Sequence, residues 1–507
     1  MHVQCVGATR RCAHRAPLVD ALRDLGKKER ALDHPFYFPG HKRGSGSSDS
    51  LKAIVGQVAL QHDLPELPEL DNLSCPTGAI KEAQEMAAEA FGARETFFLV
   101  NGTTCGIQAA VMTLCNPGNT LVLPRNSHQA AFSAMVLAGA IPFYLEPEVD
   151  VRLDLTFGVT AEMVQEGIRN AAARDGGQLP AAVLVTSPTY HGACLDLKSI
   201  ARVCQTHGVP LIVDEAHGAH FKFHPDLPTT ALEAGADIAV QSTHKVLTSM
   251  TQASMLHVGS RKVDRDRLAL SLQTLQSSSP SYLLLASLDA ARQQLQEHGT
   301  TLLHESIALA QRATKSLESI PNIDLLRMES IDAHSVIAID PLRITVGLGG
   351  LDLNGFSADD YMREFYSVTC ELPLSKSLTF AIGPGNTTED IDALVLGVSK
   401  IAGEFAPPGG DAKAENLPVH LSSASWGCAR VPPREAFYAP KTRVALEDAA
   451  GRVSAELLCP YPPGIPVVTP GEEITPAALS LLQEVLASGG RVSGASDPDL
   501  REVLVLQ

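Results

Sequence analysis

The run Val213-Asp214-Glu215-Ala216-His217-Gly218-Ala219-His220 is followed downstream by Val240-Gln241-Ser242-Thr243-His244-Lys245. Each closes a short apolar stretch, Val209-Pro210-Leu211-Ile212-Val213 before Asp214 and Ile238-Ala239-Val240 before Ser242. A carboxylate and a lysine are thereby expected at the carboxyl ends of two strands, where ligands bind in open α/β sheets. A carboxylate facing a pyridinium nitrogen and a lysine able to condense with an aldehyde are what pyridoxal 5'-phosphate needs from a protein. Lys245 is the candidate Schiff-base lysine and Asp214 the candidate partner of the ring nitrogen. Asp214 alone could equally cap a helix; its pairing with Lys245 favours the chemical role. Ala216 is small enough for a ring to lie flat on it.

A phosphate needs a cradle. Gly102, Thr103 and Thr104 stand between an expected strand and a helix start, where backbone N–H groups and the helix dipole attract anions. By itself this pattern could be a plain helix cap. Ser242 and His244 are further candidate phosphate contacts. His128 follows a strand and could stack on a cofactor ring or be a structural histidine. His217, His220 and His224 have a spacing that could suggest metal ligands. No cysteine cluster accompanies them, and Gly218 and Pro225 interrupt a regular helix, so no metal site is expected; His217 is placed beside the cofactor or substrate instead. Glu472 (in Pro-Gly-Glu) and Glu371 (in Cys-Glu-Leu-Pro) could be surface residues or could present carboxylates to a substrate ammonium.

These residues need elements to hold them. Strands are expected at Thr96–Val100, Thr120–Leu123, Ile141–Leu145 and Ala182–Thr186, with helices at 17–28, from Gly78 to Phe91, and from about Cys105. Alternation of this kind implies a parallel, doubly wound sheet buried on both faces. Beyond residue 295 the pattern changes, with helical material over Leu302–Ile320 and less regular strands at Val336–Ile339 and Ile344–Val346. Pro/Gly-rich breaks fall at 406–411 and Cys459–Pro466. The expected organisation is an N-terminal segment (1–66), a cofactor-binding major domain (67–295), a small domain (296–410) and a C-terminal domain (411–507).

The chain has 507 residues, 57 acidic against 40 basic side chains, and a formal net charge of -17. This acidity argues against nucleic acid or anionic membrane as partners, and fits either plain solubility or a cationic small substrate. No apolar run approaches the roughly 18 residues of a membrane span. Ten cysteines without a Cys-x-x-Cys pair read as reduced thiols of a cytosol-like compartment. Arg10, Arg11, His14 and Arg15 precede any acid, which fits a transit-peptide remnant (hence cytoplasm or plastid stroma) or a disordered start.

The stretches Phe38-Pro-Gly-His41, Asn101-Gly-Thr-Thr-Cys-Gly-Ile-Gln108, Arg125-Asn-Ser-His128, Ser187-Pro-Thr-Tyr190, Asp214–His217, Ser242–Lys245 and Cys459-Pro-Tyr-Pro-Pro-Gly-Ile-Pro466 together resemble the ornithine/lysine/arginine decarboxylases. The resemblance spans about residues 35 to 472 and points to the shorter branch without an N-terminal wing domain. It implies an α/β, aspartate-aminotransferase-like (fold type I) domain with smaller α+β domains. It also implies decarboxylation of a basic L-amino acid to a di- or polyamine. The missing wing implies a homodimer or tetramer, with active sites at the subunit interface, rather than a decameric ring. By the same resemblance Lys245 bonds the cofactor, Asp214 pairs with its ring nitrogen, and His128 and Ala216 flank the ring. Thr103, Thr104, Ser242 and His244 then hold the phosphate, and Glu472 meets the distal amine. Ser279 and Tyr282 lie where relatives reach the partner subunit's cofactor. Transamination and a non-catalytic regulatory role are the competing functions. A dinucleotide oxidoreductase is a poor fit, because no Gly-x-Gly-x-x-Gly follows the early strands.

Overall fold

The computed structural model describes residues 15–27, 34–407, 426–461 and 464–507. Arg10, Arg11 and His14, positions 408–411 of the first Pro/Gly-rich break, and Pro462 and Pro463 of the second lie outside the described residues. The chain forms two compact units interleaved along the sequence. Unit 1 comprises Met1–Thr113, Asp214–Pro225 and Thr229–Leu303; unit 2 comprises Leu114–Val213, Asp226–Pro228 and His304–Gln507.

Along the chain, α1 (Ala79–Phe91) leads to β1 (Glu95–Leu99) and α2 (Gly102–Leu114). Then come β2 (Thr120–Pro124), α3 (Gln129–Ala138), β3 (Ile141–Leu145), β4 (Ala182–Thr186) and β5 (Leu211–Asp214). β6 (Ile238–Gln241), β7 (Ser254–Val258) and the long helix α4 (Tyr282–Leu317) follow. The chain passes from unit 2 into unit 1 inside β5, between Val213 and Asp214.

In unit 1, β7 runs antiparallel to both β1 and β6, with Leu256 opposite Phe97 on one side and Val240 on the other. In unit 2, β2 pairs in parallel with β3 and with β4, and β5 follows β4 in strand order. Every residue of β2, β5, β6 and β7 is buried. Their apolar runs are the pattern of strands covered on both faces. The fold is α/β.

Phe98, Leu70, Ile80, Met255, Tyr282 and Leu288 are fully buried in one hydrophobic cluster of unit 1. Burying a side chain such as Phe98 stabilises by about 1.5–3 kcal/mol.

Unit 2 also holds the chain's later elements. β8 (Asp324–Leu325), β9 (Arg343–Gly347), β10 (Leu372–Pro373) and β11 (Ser377–Ala381) form a sheet of order β8-β9-β11-β10. Near the C-terminus, β12 (Lys441–Ala445) and β13 (Glu502–Leu506) pair antiparallel. Helix α5 (Pro476–Ala487) buries Leu482 in one cluster with Leu458, Val468, Val503 and Val505.

Two elements differ from the sequence expectation. Helix α4 begins at Tyr282 rather than near Leu302, because Tyr282, Leu285, Leu288 and Leu295 are all drawn into the unit 1 core. β7 was not anticipated, since Ser254 and His257 interrupt its apolar character. Burial of His257 is made tolerable by Thr96 Oγ1, 2.8 Å from its Nδ1.

Candidate active site

Unit 1 gathers most of the expected cofactor residues from three segments: the start of α2, the turn after β5, and the single helical turn Thr243–Val246 after β6. Gly102 has a left-handed φ of 70°, and its N–H donates to Gln252 O at 3.0 Å. A side chain here would be strained; with glycine, α2 starts at once, ahead of the expected Cys105. A Cβ at Gly106 would stand 2.5 Å from Val240 Cγ1 and 2.8 Å from Leu99 Cδ1. Helix α2 therefore lies flush on β1 and β6, and its N-terminus is fixed.

Thr103 Oγ1 lies 3.2 Å from Ser242 Oγ, and Ser242 is fully buried. Thr104, in the same first turn, is exposed. First-turn N–H groups lack intrahelical acceptors, so hydroxyls and amides converge there on space suited to an anion. His244 donates through Nδ1 to Ala253 O at 2.9 Å. Burial pushes its imidazole pKa below the ordinary value, and the charge of Lys245 adds to that.

Lys245 Nζ lies 3.0 Å from Nε2 of the buried His217. An ammonium only donates, so a charged Lys245 requires Nε2 of His217 to accept. Asp214 is buried at the end of β5, and its Oδ1 accepts from the Ala216 N–H at 3.2 Å. Burial pushes its carboxyl above the usual range, opposed by the charge of Lys245 and by the Ala216 N–H. This donor set fits pyridoxal phosphate. It combines an amine within reach of a base, a buried carboxylate in need of a cationic partner, and hydroxyls at a helix N-terminus.

The other expected residues belong to unit 2. His128 is the N-cap of α3, with Nδ1 accepting from the Ala130 N–H at 3.2 Å. Glu371 is exposed beside β10. Glu472 is no surface turn: it is buried in an ion pair with Arg125, whose Nη2 stands 2.7 Å from its Oε2. The Thr469 N–H donates to the same oxygen at 2.8 Å, while Oε1 has no hydrogen-bond partner among the described residues. Arg125 also donates to Pro466 O and Val467 O, and its guanidinium lies 5.2–5.8 Å from the rings of Phe132, Tyr144 and Trp426. Burial pushes the Tyr144 hydroxyl upward, and the Glu472 charge adds to it.

Ser279 is exposed. Tyr282, expected with Ser279 to lie where relatives reach a partner subunit's cofactor, packs within this chain. It is fully buried in unit 1, and its hydroxyl donates to Asp71 O at 2.6 Å. Among the described residues no group of three or more His, Cys, Asp or Glu side chains could hold a metal ion, and no helix is long and apolar enough to cross a membrane.

Sequence reasoning assigned no role to Arg125, although it begins the quoted Arg-Asn-Ser-His stretch; its partner Glu472 is too far along the chain for local pattern to reveal the pair. Glu215, Gln241 and His257 were likewise passed over, since each looks like an ordinary strand-end residue.

The family model described as "Orn/Lys/Arg decarboxylase, major domain" matches residues 16–362, and that of the C-terminal domain matches residues 432–492. An arginine decarboxylase of Bacillus subtilis is 36% identical over 494 residues, 97% of this chain and 98% of the relative. One from Halalkalibacterium halodurans is 37% identical over 472 residues, covering 93% and 94%. The structure of the Escherichia coli constitutive lysine decarboxylase superposes with a TM-score of 0.82 at 22% identity, covering 97% of this chain and 82% of that one. An aminotransferase from Bacillus subtilis shares the fold more distantly, with a TM-score of 0.51 at 16% identity over 66% of this chain and 88% of its own. The architecture is thus the fold type I architecture, and the chain belongs to the Orn/Lys/Arg decarboxylase family.

Proposed function

We propose that the protein releases carbon dioxide from a basic L-amino acid, with pyridoxal phosphate held by unit 1. The observation that carries this reading is the pairing of Lys245 with His217 beside the buried Asp214. When bound, the cofactor supplies an electron sink for breaking the bond between Cα and the carboxylate. Lys245 must shed a proton to act as a nucleophile, and His217 Nε2 is positioned to take it. Asp214 is pushed upward by burial, and a cationic ring nitrogen would bring it back down and hold it ionised. Thr103, Thr104, Ser242 and the N-terminus of α2 would orient the phosphate, with His244 adding a second donor once an anion raises its pKa.

In unit 2, Glu472 and Glu371 are the proposed contacts for the distal cation of the substrate, and His128 is the proposed cover of the cofactor ring. We further infer a homodimer or tetramer with active sites at the subunit interface. Lysine, ornithine and arginine differ by a methylene or by ammonium against guanidinium, and a methylene is worth only about 1–3 kcal/mol in a pocket. The two bacterial relatives are named arginine decarboxylases, so arginine is the first substrate to try.

Carbon dioxide release from L-arginine, L-lysine and L-ornithine by cofactor-loaded protein tests the proposal, with Lys245→Ala as control. Release from one of them that disappears in the variant is expected. Keto-acid formation without carbon dioxide would replace the proposal by transamination, and release undiminished in the variant would remove Lys245 from the chemistry.

A further inference from the structure

Asp214 is followed by a second acid that the proposed chemistry does not use. Glu215 is fully buried, and its Oε1 accepts from the Ala231 N–H at 2.7 Å. Gln241 Nε2 lies 2.8 Å from Glu215 Oε2, and Gln241 Oε1 lies 3.0 Å from His257 Nε2. His257 Nδ1 lies 2.8 Å from Thr96 Oγ1. The four side chains come from β1, β7, β6 and the turn after β5; all are buried and all belong to unit 1. Phe91 stacks on the His257 ring, with centroids 4.8 Å apart.

We propose that Glu215 is a positioning residue for the Asp214 turn, and that Glu215, Gln241, His257 and Thr96 form one hydrogen-bond chain whose direction follows the proton on Glu215. With Glu215 as a carboxylate, only one assignment satisfies every atom. Thr96 donates to His257 Nδ1, His257 Nε2–H donates to Gln241 Oε1, and Gln241 Nε2–H donates to Glu215. With a proton on Oε2, Glu215 donates instead to the amide oxygen of a turned-over Gln241. The Gln241 nitrogen then donates to His257 Nε2, and His257 Nδ1–H donates to Thr96. A neutral imidazole supports both senses; burial holds His257 neutral by pushing its pKa down to about 3.

Glu215 itself is pushed up to about 8 by burial, so its proton is in play near neutral pH. The charged groups bearing on it are few. Glu233 opposes its ionisation, Asp214 precedes it in the chain, and the Gln241 amide and Ala231 N–H favour its ionisation. A negative Glu215, next in sequence to Asp214, would also oppose a charge there, which would link the chain to the ring-nitrogen partner. That last link rests on the proposed function; the chain itself does not.

The experiment reads the tautomer of His257 by nitrogen-15 NMR of histidine-labelled protein without cofactor, with the signal identified by its loss in His257→Gln. Wild-type protein should carry the proton on Nε2 well above pH 8 and on Nδ1 well below it, while Glu215→Gln should hold it on Nδ1 throughout. A single tautomer across that range in wild type overturns the chain, even if the variant does not fold. A second readout uses loaded protein: Glu215→Gln should shift the pH titration of the cofactor absorbance by about one unit, a plausible size for one buried charge. A reversing tautomer with an unshifted titration overturns the positioning role and leaves the chain. Protein that binds no pyridoxal phosphate at all would refute the proposed function without touching the tautomer result.

Discussion

Two buried polar clusters, one in each unit, treat charge in opposite ways. Around Arg125 every charge has its answer. Glu472 neutralises it, two backbone carbonyls accept from its Nη1 and Nη2, and three aromatic rings flank it, while its Nε and Glu472 Oε1 have no hydrogen-bond partner among the described residues. Around Lys245 the arrangement is different, with a neutral ring at close range and a carboxylate that its charge helps to hold down. Its close partner His217 is uncharged when it accepts, and Asp214 is left pushed upward by burial. A buried ion pair of this kind holds a segment in place, here Pro466–Glu472, and leaves Glu472 Oε1 available to a further donor. A carboxylate that burial pushes upward is stabilised when a ligand brings a cation to it. Perturbed carboxylates beside an amine mark functional sites for this reason.

The contrast fails most visibly if the two clusters respond alike to truncation. Arg125→Leu leaves Glu472 as an uncompensated buried charge, which should cost about 3–5 kcal/mol. Lys245→Ala, measured without cofactor, should change stability by less than about 1 kcal/mol. Urea midpoints of the two variants decide this, and equal losses would erase the distinction. A medium effect concerns pH in unit 2. Burial holds His191 near 4 against an ordinary value of 6.5. The unfolded chain therefore takes up this proton first, and stability falls as pH drops from 6.5 toward 4. The loss should approach roughly 3 kcal/mol. A urea midpoint that stays level across this window contradicts it. The smallest effect sharpens the anion cradle of unit 1. Ser242→Ala removes the hydroxyl paired with Thr103 and should weaken pyridoxal phosphate about five- to tenfold, the worth of one hydrogen bond. Titration of the apoprotein with the cofactor measures it, and unchanged affinity would take Ser242 out of the cradle.

The positions of Asp214 and Lys245 were legible in the sequence because Asp214 ends a short apolar strand and Lys245 lies in the helical turn just after another, and the end of a buried strand is where polar side chains re-emerge. The strands Ile141–Leu145 and Ala182–Thr186 were legible for the same reason, being apolar runs with clear stops. What stayed hidden depends on partners distant along the chain. Arg125 and Glu472 lie 347 residues apart, and Thr96 and His257 lie 161 apart. No local pattern distinguishes a buried, answered charge from a solvated one, so Glu472 read equally well as a surface turn. Likewise, the histidine that made Ser254–Val258 look unlike a core strand is acceptable because β1 supplies a hydroxyl opposite it and β6 an amide.

The missing side chain at Gly106 has an evolutionary consequence. Because Val240 and Leu99 fill the space a Cβ would need, even alanine at this position would force either those side chains or α2 to shift, and a shift of α2 would carry the Thr103 hydroxyl with it. Drift can rewrite an open surface position one residue at a time, but position 106 cannot change without its neighbours giving way. A change there is therefore tied to a compensating change at Val240 or Leu99.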